Sequence, residues 1–411
     1  MRVSVMVVVG LWVVSIAAGA ACAQNSWQLI GRDLGEERVE LTRLEDGVVS
    51  FVDASGRARE RALSDLVAAV HELPPPERTP RELPWITRQL QRFTPDRDGS
   101  GDGDDPDGLP GFVGRLELVD GQVWVGTLLS ADGQSLSWFV EDSVVISVAL
   151  DRVRSASIHG SIDGARVGWD GIDDRVVLGN GDVLDGFVDE IGERVRMETG
   201  GRVVSLPMDR VAGVLLANPP IAAEGMVLRT VGGSVLAVDA IEISLTGRVR
   251  AVAARDGGTV EMVFGGEEAL SLVVAPDGVG ALGLIEPAEV VGPGGMSGGD
   301  GLAMVVDEAL GFDGFVLRGP VVVRWALPRP ARRFAVRATL PPAMWAWGDC
   351  EVVVLMGDGT EAARERLWAD RPSVEINVPL GGMAGMSIAI ESGSSGPVQD
   401  RVVFSRPIVG W

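Results

Sequence analysis

The chain has 411 residues, with 58 acidic against 36 basic side chains and a formal net charge of −22. Every basic residue is Arg; Lys and Tyr are absent, and His and Cys number two each. These numbers exclude a Schiff-base or phosphate-loop lysine, a His/Cys zinc site with its own catalytic base, and nucleic-acid binding through a broad basic face.

The N-terminus is read first. Met1-Arg2 precedes an apolar run from Val3 to Ala18, and small residues follow, ending in Ala21-Cys22-Ala23. A positive start, an apolar stretch and a small-x-small end make a signal peptide over residues 1–23, with Gln24 first in the mature chain. The run is short for a bilayer span, which needs about 20 residues. No second apolar stretch reaches that length, so no membrane span is expected after cleavage. The expected location is periplasmic or extracellular. Cleavage removes Cys22 and leaves Cys350 as the one thiol, so an intramolecular disulfide is excluded.

Residues 24–73 form a small β unit with a terminal helix expected over Ser64 to Leu73. Residues 74–111 open with Pro74-Pro75-Pro76 and become Asp/Gly-rich, which reads as a solvated linker. Glu82 to Phe93 inside it has a helical pattern. Asp96, Asp98, Ser100, Asp102 and Asp107 also fall near the oxygen-ligand positions of a calcium loop. The pattern departs from such a loop at Gly103 and at Pro106, so calcium is the alternative reading and no cofactor is required.

Residues 112–217 repeat. Arg115-Leu-Glu-Leu-Val-Asp-Gly-Gln and Arg175-Val-Val-Leu-Gly-Asn-Gly-Asp each end in a hairpin-turn signal. Each is followed by a Gly126 or Gly186 strand and closes at Asp151-Arg152-Val153 or Asp209-Arg210-Val211. A fainter copy precedes the linker, aligned through Asp46-Gly47 and Asp65. A degenerate copy spans residues 218–291. Such units are too short to bury much surface alone, so they are expected to stack or to close as small barrels or β-rolls. Asp151 and Arg152, with Asp209 and Arg210, are read as turn and edge residues rather than as a catalytic pair.

A Gly-rich linker, 292–301, precedes the last domain, 302–411. About eight strand-like runs are read there: Met304–Val306, Gly314–Leu317, Val321–Leu327, Arg333–Leu340, Glu351–Met356, Val374–Val378, Met386–Glu391 and Arg401–Ser405. A helix is expected over Thr360 to Trp368. This spacing fits a jelly-roll β-sandwich, and the whole chain is read as mostly β.

Four passages carry a resemblance: Val321-Val-Val-Arg-Trp325 into Arg333-Phe334, Gly348-Asp349-Cys350 to Gly359, Ser373 to Val378, and Ser387 to Glu391 with Asp400 to Phe404. They resemble the NPCBM family of carbohydrate-binding modules in secreted bacterial proteins. The resemblance implies a β-sandwich that binds glycans.

Sugar binding needs flat aromatic faces and a few polar groups. Without Tyr, that task falls on Trp. Trp325 lies in an apolar strand and is expected in the core. Trp345 and Trp347 lie in a loop-like stretch and would share a face if it were extended. Trp368, with Arg366 and Asp370, is a second loop candidate. Cys350 has no evident base in His71 or His159. Neither a nucleophile with its base nor a marked carboxylate pair is found, so the chain is read as non-enzymatic. The expected partner is a polysaccharide or glycan, with envelope proteins as the alternative.

Overall fold

The computed structural model describes residues 26–72, 113–140, 144–221, 225–244, 246, 248–255, 258–293, 303–307, 310–394, 396 and 400–411. The expected signal peptide, the expected 74–111 linker with the helix expected inside it, and the candidate calcium ligands Asp96, Asp98, Ser100, Asp102 and Asp107 lie outside them. The described chain is nearly all strand, and its one α-helix is the four-residue Asp163–Arg166. Among the described residues no helix is long and apolar enough to cross a membrane.

One pattern recurs along the chain: a meander of strands, a three-residue 3₁₀ turn, then a closing strand. The first copy is β1 (Ser26–Gly31), β2 (Glu36–Glu45), β3 (Val48–Asp53), β4 (Ala58–Ala62), the turn Leu63–Asp65 and β5 (Leu66–His71). The second is β6 (Gly114–Leu118), β7 (Val123–Ala131), β8 (Ser135–Val140), β9 (Val144–Ala149), the turn Leu150–Arg152 and β10 (Val153–Ser157). The third is β11 (Asp174–Leu178), β12 (Val183–Ile191), β13 (Arg194–Thr199), β14 (Arg202–Pro207), the turn Met208–Arg210 and β15 (Val211–Leu215). The fourth divides its second strand in two: β16 (Met226–Thr230), β17 (Val235–Val238), β18 (Ala240–Ile243), β19 (Arg248–Arg255), β20 (Gly258–Gly265), the turn Gly266–Glu268 and β21 (Ala269–Val273).

In the first three copies each strand pairs antiparallel with the next through the fourth strand. The closing strand returns to the first. Among the described residues no register joins the fourth strand to the closing one, so these meanders do not close as the barrels that were one expectation. The turn glycines Gly121 and Gly181 have φ of 77° and 89°, which only glycine adopts without strain. Gly126 and Gly186 serve a second need. A Cβ there would stand 1.9 Å from the Phe139 carbonyl oxygen and 2.1 Å from that of Glu198. The second strand bulges just past each glycine, between Leu128 and Ser130 and between Val188 and Glu190. Trp124, Trp138, Leu116, Val176, Val195 and Met197 fill the interiors.

Two expectations change here. Of the expected helix Ser64 to Leu73, Ser64 to His71 form a 3₁₀ turn and a strand, and Leu73 lies outside the described residues. Every residue of β5 is buried, and the strand also pairs on both edges, with β1 and with β21. A strand buried on both faces loses the polar alternation that would mark it. The faint copy is also shifted. Asp46-Gly47 joins β2 to β3, and Asp65 occupies the place of Arg152 rather than Asp151.

The chain divides into two compact units. One holds residues 73–269, with the second and third copies. The other holds 1–72 and 270–411. Within the latter, the remaining strands are β22 (Val279–Ala281), β23 (Glu289–Val291), β24 (Ala303–Asp307), β25 (Phe312–Arg318), β26 (Val321–Thr339), β27 (Cys350–Met356), β28 (Glu361–Leu367), β29 (Ser373–Ser392) and β30 (Arg401–Gly410).

β26 and β29 bend and contribute to both layers of a sandwich. The first half of β26 pairs with the second half of β29, which continues to β27 and β28. The second half of β26 pairs with the start of β29 and with β30, which continues to β25 and β24. The bend falls at register shifts between Ala326 and Arg333, around Pro328 and Pro330, opposite Gly381 and Gly382 at φ 62° and 80°. Four of the expected strands thus merge into two. The Thr360 to Trp368 segment, expected as helix, is β28. Phe315, Trp325, Phe334 and Phe404 fill the core between the layers. The first copy packs on this sandwich. Asn377 Nδ2 donates to the Asp33 carbonyl at 3.1 Å, Arg406 donates to Gln28, and Arg337 lies 3.5 Å from Glu36.

Candidate functional site

Strand registers fix which loops meet. Thr339 pairs with Ser373, and Cys350 pairs with Leu367. The connection 340–349 and the turn 368–372 therefore emerge at one end of the sandwich. The Leu340 amide donates to the Pro372 carbonyl at 2.7 Å and ties them together. All five sequence candidates, Trp345, Trp347, Arg366, Trp368 and Asp370, sit at this end.

The connection is not extended. Pro342–Met344 is a 3₁₀ turn, and Trp345 follows in the right-handed helical region at φ −64° and ψ −25°. The alternation that would align Trp345 with Trp347 is therefore absent. Pro341 and Pro342 favour this turn, because proline presets φ and removes a donor that a strand would need. Trp345 is 41% exposed and Trp347 63%. The Trp345 indole donates to the Leu340 carbonyl at 2.8 Å, which fixes its ring. Trp325 is buried, and its indole donates to the Ile285 carbonyl at 3.1 Å.

In the neighbouring turn Trp368 is half-buried, and its backbone exchanges hydrogen bonds with Arg371. The Arg366 guanidinium lies 5.7 Å from the Trp368 ring centroid, a cation–π distance. Arg366 also grips Asp349 in a fork, Nε to Oδ1 at 2.7 Å and Nη2 to Oδ2 at 2.8 Å. Ser394 adds its hydroxyl and its backbone amide to the same carboxylate. Arg366 and these Ser394 bonds hold the Asp349 carboxyl well below the usual carboxylate range. Asp370 is exposed.

Asp349 and Asp400 lie in the passages that carry the resemblance but are not among the candidate ligand residues, and Ser394 is in neither group. Their partners lie on segments distant in the chain. Asp400 is buried, and burial raises its carboxyl, with Ser392 and the Asp349 amide opposing. Cys350 is fully buried between these groups. Burial first, then the Asp400 and Asp349 charges, push its thiol up to about 12, so it stays protonated and inert. Among the described residues no three His, Cys, Asp or Glu side chains gather closely enough to hold a metal ion. The arrangement offers exposed indole surface beside a rigid, charge-paired arginine.

No family model and no curated protein matches this chain. Solved structures similar to it include the CBM51 of Clostridium perfringens GH95 in complex with methyl-galactose, at 13% identity over 32% of this chain and 99% of that one, TM-score 0.26. The tandem CBM51 modules of Sp3GH98, the family 98 glycoside hydrolase of Streptococcus pneumoniae, are 11% identical over 72% and 87%, TM-score 0.26. CBM51-2, in complex with GlcNAc, and the INT domains of Clostridium perfringens ZmpB are 11% identical over 42% and 37%, TM-score 0.28. The chain thus spans little more than a third of that last structure. At these TM-scores the likenesses establish no function for this chain.

Proposed function

We propose that this chain is an exported, non-enzymatic glycan-binding protein whose C-terminal sandwich takes the sugar at the end bearing Trp345 and Trp347. The observation that carries the reading is Trp347, 63% exposed on a short turn. An exposed indole costs solubility and adds nothing to the core. It is the surface a pyranose stacks on through its apolar face. Trp345 and the Arg366–Trp368 pair extend the surface, and Arg366 Nη1 supplies a donor to hydroxyls. The repeat copies act as spacer or interaction surface.

The test is a glycan array probed with the full chain, followed by titration of any sugar bound. Trp347→Ala is expected to weaken binding at this end at least tenfold, and the Trp345→Ala/Trp347→Ala double variant to abolish it there. Unchanged binding in the double variant overturns the assignment to this end. Absence of any glycan ligand favours a structural role in the cell envelope with protein partners.

A further inference from the structure

A groove of about 530 Å³ opens between the second and third repeat copies, inside the unit of residues 73–269. Two polar residues set its floor. Asp174, buried, accepts from the Val188 and Ala217 amides at 2.7 Å each. Asn218 donates to the Leu150 and Val153 carbonyls at 2.8 and 2.7 Å, which locks the third copy to the second. The site is thus preformed, since its floor needs no rearrangement to receive a ligand.

The rim is different in kind. Phe187 is 64% exposed. Around it stand Gln134, Asp151 and Asp173, all exposed and lining the same groove. Their side chains make no hydrogen bond or ion pair among the described residues. The fold does not ask for a phenyl ring here. Gly126 and Gly186 are equivalent, so the second copy carries Thr127 where the third carries Phe187.

We propose that this groove is a second sugar site, taking a neutral pyranose. The ring stacks on Phe187, two hydroxyls donate to Asp151 and Asp173, and the Gln134 amide donates to a third oxygen. The ligand class rests on the glycan-binding reading above, but the site is carried by other residues in the other unit. The volume suits a ligand of one to three sugar rings, within the roughly 300–1,000 Å³ of small-molecule sites. The carboxylates are spread round the rim rather than gathered on one point, which suits several hydroxyls better than one metal ion. They also set selectivity: a uronic acid would meet like charge in a groove that no basic residue lines.

The experiment titrates the full chain with cellohexaose, chitohexaose, galactotetraose, pentagalacturonate and hexa-arginine. The wild type, Phe187→Thr, Asp151→Ala/Asp173→Ala and Trp345→Ala/Trp347→Ala are compared. Phe187→Thr installs the residue the second copy already tolerates, and its fold is checked by thermal melting. The expected result is a wild type that binds a neutral oligosaccharide at two sites, one lost in the Trp double variant and the other weakened at least tenfold by Phe187→Thr and by the Asp double variant, with pentagalacturonate unbound. If Trp-variant binding is lost and Phe187→Thr is silent, this proposal falls and the sandwich reading stands. If Phe187→Thr abolishes all binding and the Trp double variant binds as many sugars per chain as the wild type, the sandwich site falls and this one stands. A wild type that binds none of the sugars overturns both. Hexa-arginine bound with the same dependence on Phe187 makes the groove a basic-peptide site and overturns the sugar assignment.

Discussion

Ala156 lies opposite Val214 in the antiparallel pairing of β10 with β15, and the two residues hold the same position in successive repeat copies. The same relation recurs between Ala69 of β5 and Leu272 of β21. When equivalent residues face each other across an antiparallel pair, the copies are related by a local two-fold axis through that pair. The second and third copies therefore associate by their closing strands. This also hides strand edges that would otherwise be free to aggregate.

Ala156 and Val214 are both fully buried. Val214→Asp would bury an unpaired carboxylate at the axis, and a loss of several kcal/mol is expected. Thermal melting should show the drop, and limited proteolysis should cut the second and third copies first. A melting temperature within about 1 °C of wild type would refute the packing role.

The bulge glycines make a sharper comparison. Gly186→Ala would put its Cβ 2.1 Å from the Glu198 carbonyl oxygen, so the backbone must move. A cost of about 1–3 kcal/mol is expected in chemical denaturation. Gly164→Ala meets nothing within 4 Å and lies in the short helix, so it should be neutral or slightly stabilising.

Asp349 and Asp400 predict opposite pH behaviour. The Asp349 carboxyl is lowered in the fold, so its contribution is present above the unfolded-state value and is lost as pH falls through the folded one. Asp349→Asn should lower the melting temperature at pH 7 by several degrees, and this deficit should begin to shrink only as pH falls below about 4. The Asp400 carboxyl is raised, so its contribution is present below the unfolded value and is lost as pH rises through the folded one. Asp400→Asn should raise the melting temperature at pH 7 and leave acidic conditions unchanged. Parallel pH profiles for the two variants would contradict these assignments.

Trp345 and Trp347 should separate stability from binding. Trp345→Ala removes an indole hydrogen bond to Leu340 and half-buried area, for a loss of about 1 kcal/mol. Trp347→Ala removes mostly exposed surface and should stay within about 0.5 kcal/mol of wild type. Denaturant titration of both variants checks the order.

Cys350 should resist alkylation. Folded protein treated with iodoacetamide at pH 8 is expected to leave the Cys350 peptide unmodified by mass spectrometry, and denatured protein to label fully. Rapid labelling in the folded state would contradict the burial.

Much of this molecule was legible because its chemistry is local. Asp-Gly and Asn-Gly turns, Val alternation and the spacing of Gly121 to Gly181 mark strands, hairpins and a repeat without reference to distant residues. Trp325 in an apolar strand reads as core for the same reason. Errors fell where a segment's neighbours decide its state. Ser64 to Leu73 looked helical because β5 is buried on both sides. Thr360 to Trp368 looked helical because Glu361, Ala362, Ala363, Arg364 and Glu365 are all helix-favouring residues; it is a strand because it pairs with β27, where Glu351 receives Arg364.

The site divides along the same line. The sequence by itself determined which residues are aromatic or charged, that one thiol remains if the leader is removed, and that the chain repeats. Only the tertiary structure decided that Trp347 is exposed, that Arg366 is held by Asp349, and that Phe187 stands over a groove shared by two copies. Exposure and pairing depend on which strands lie side by side, and that is set by burial summed over residues far apart in the chain.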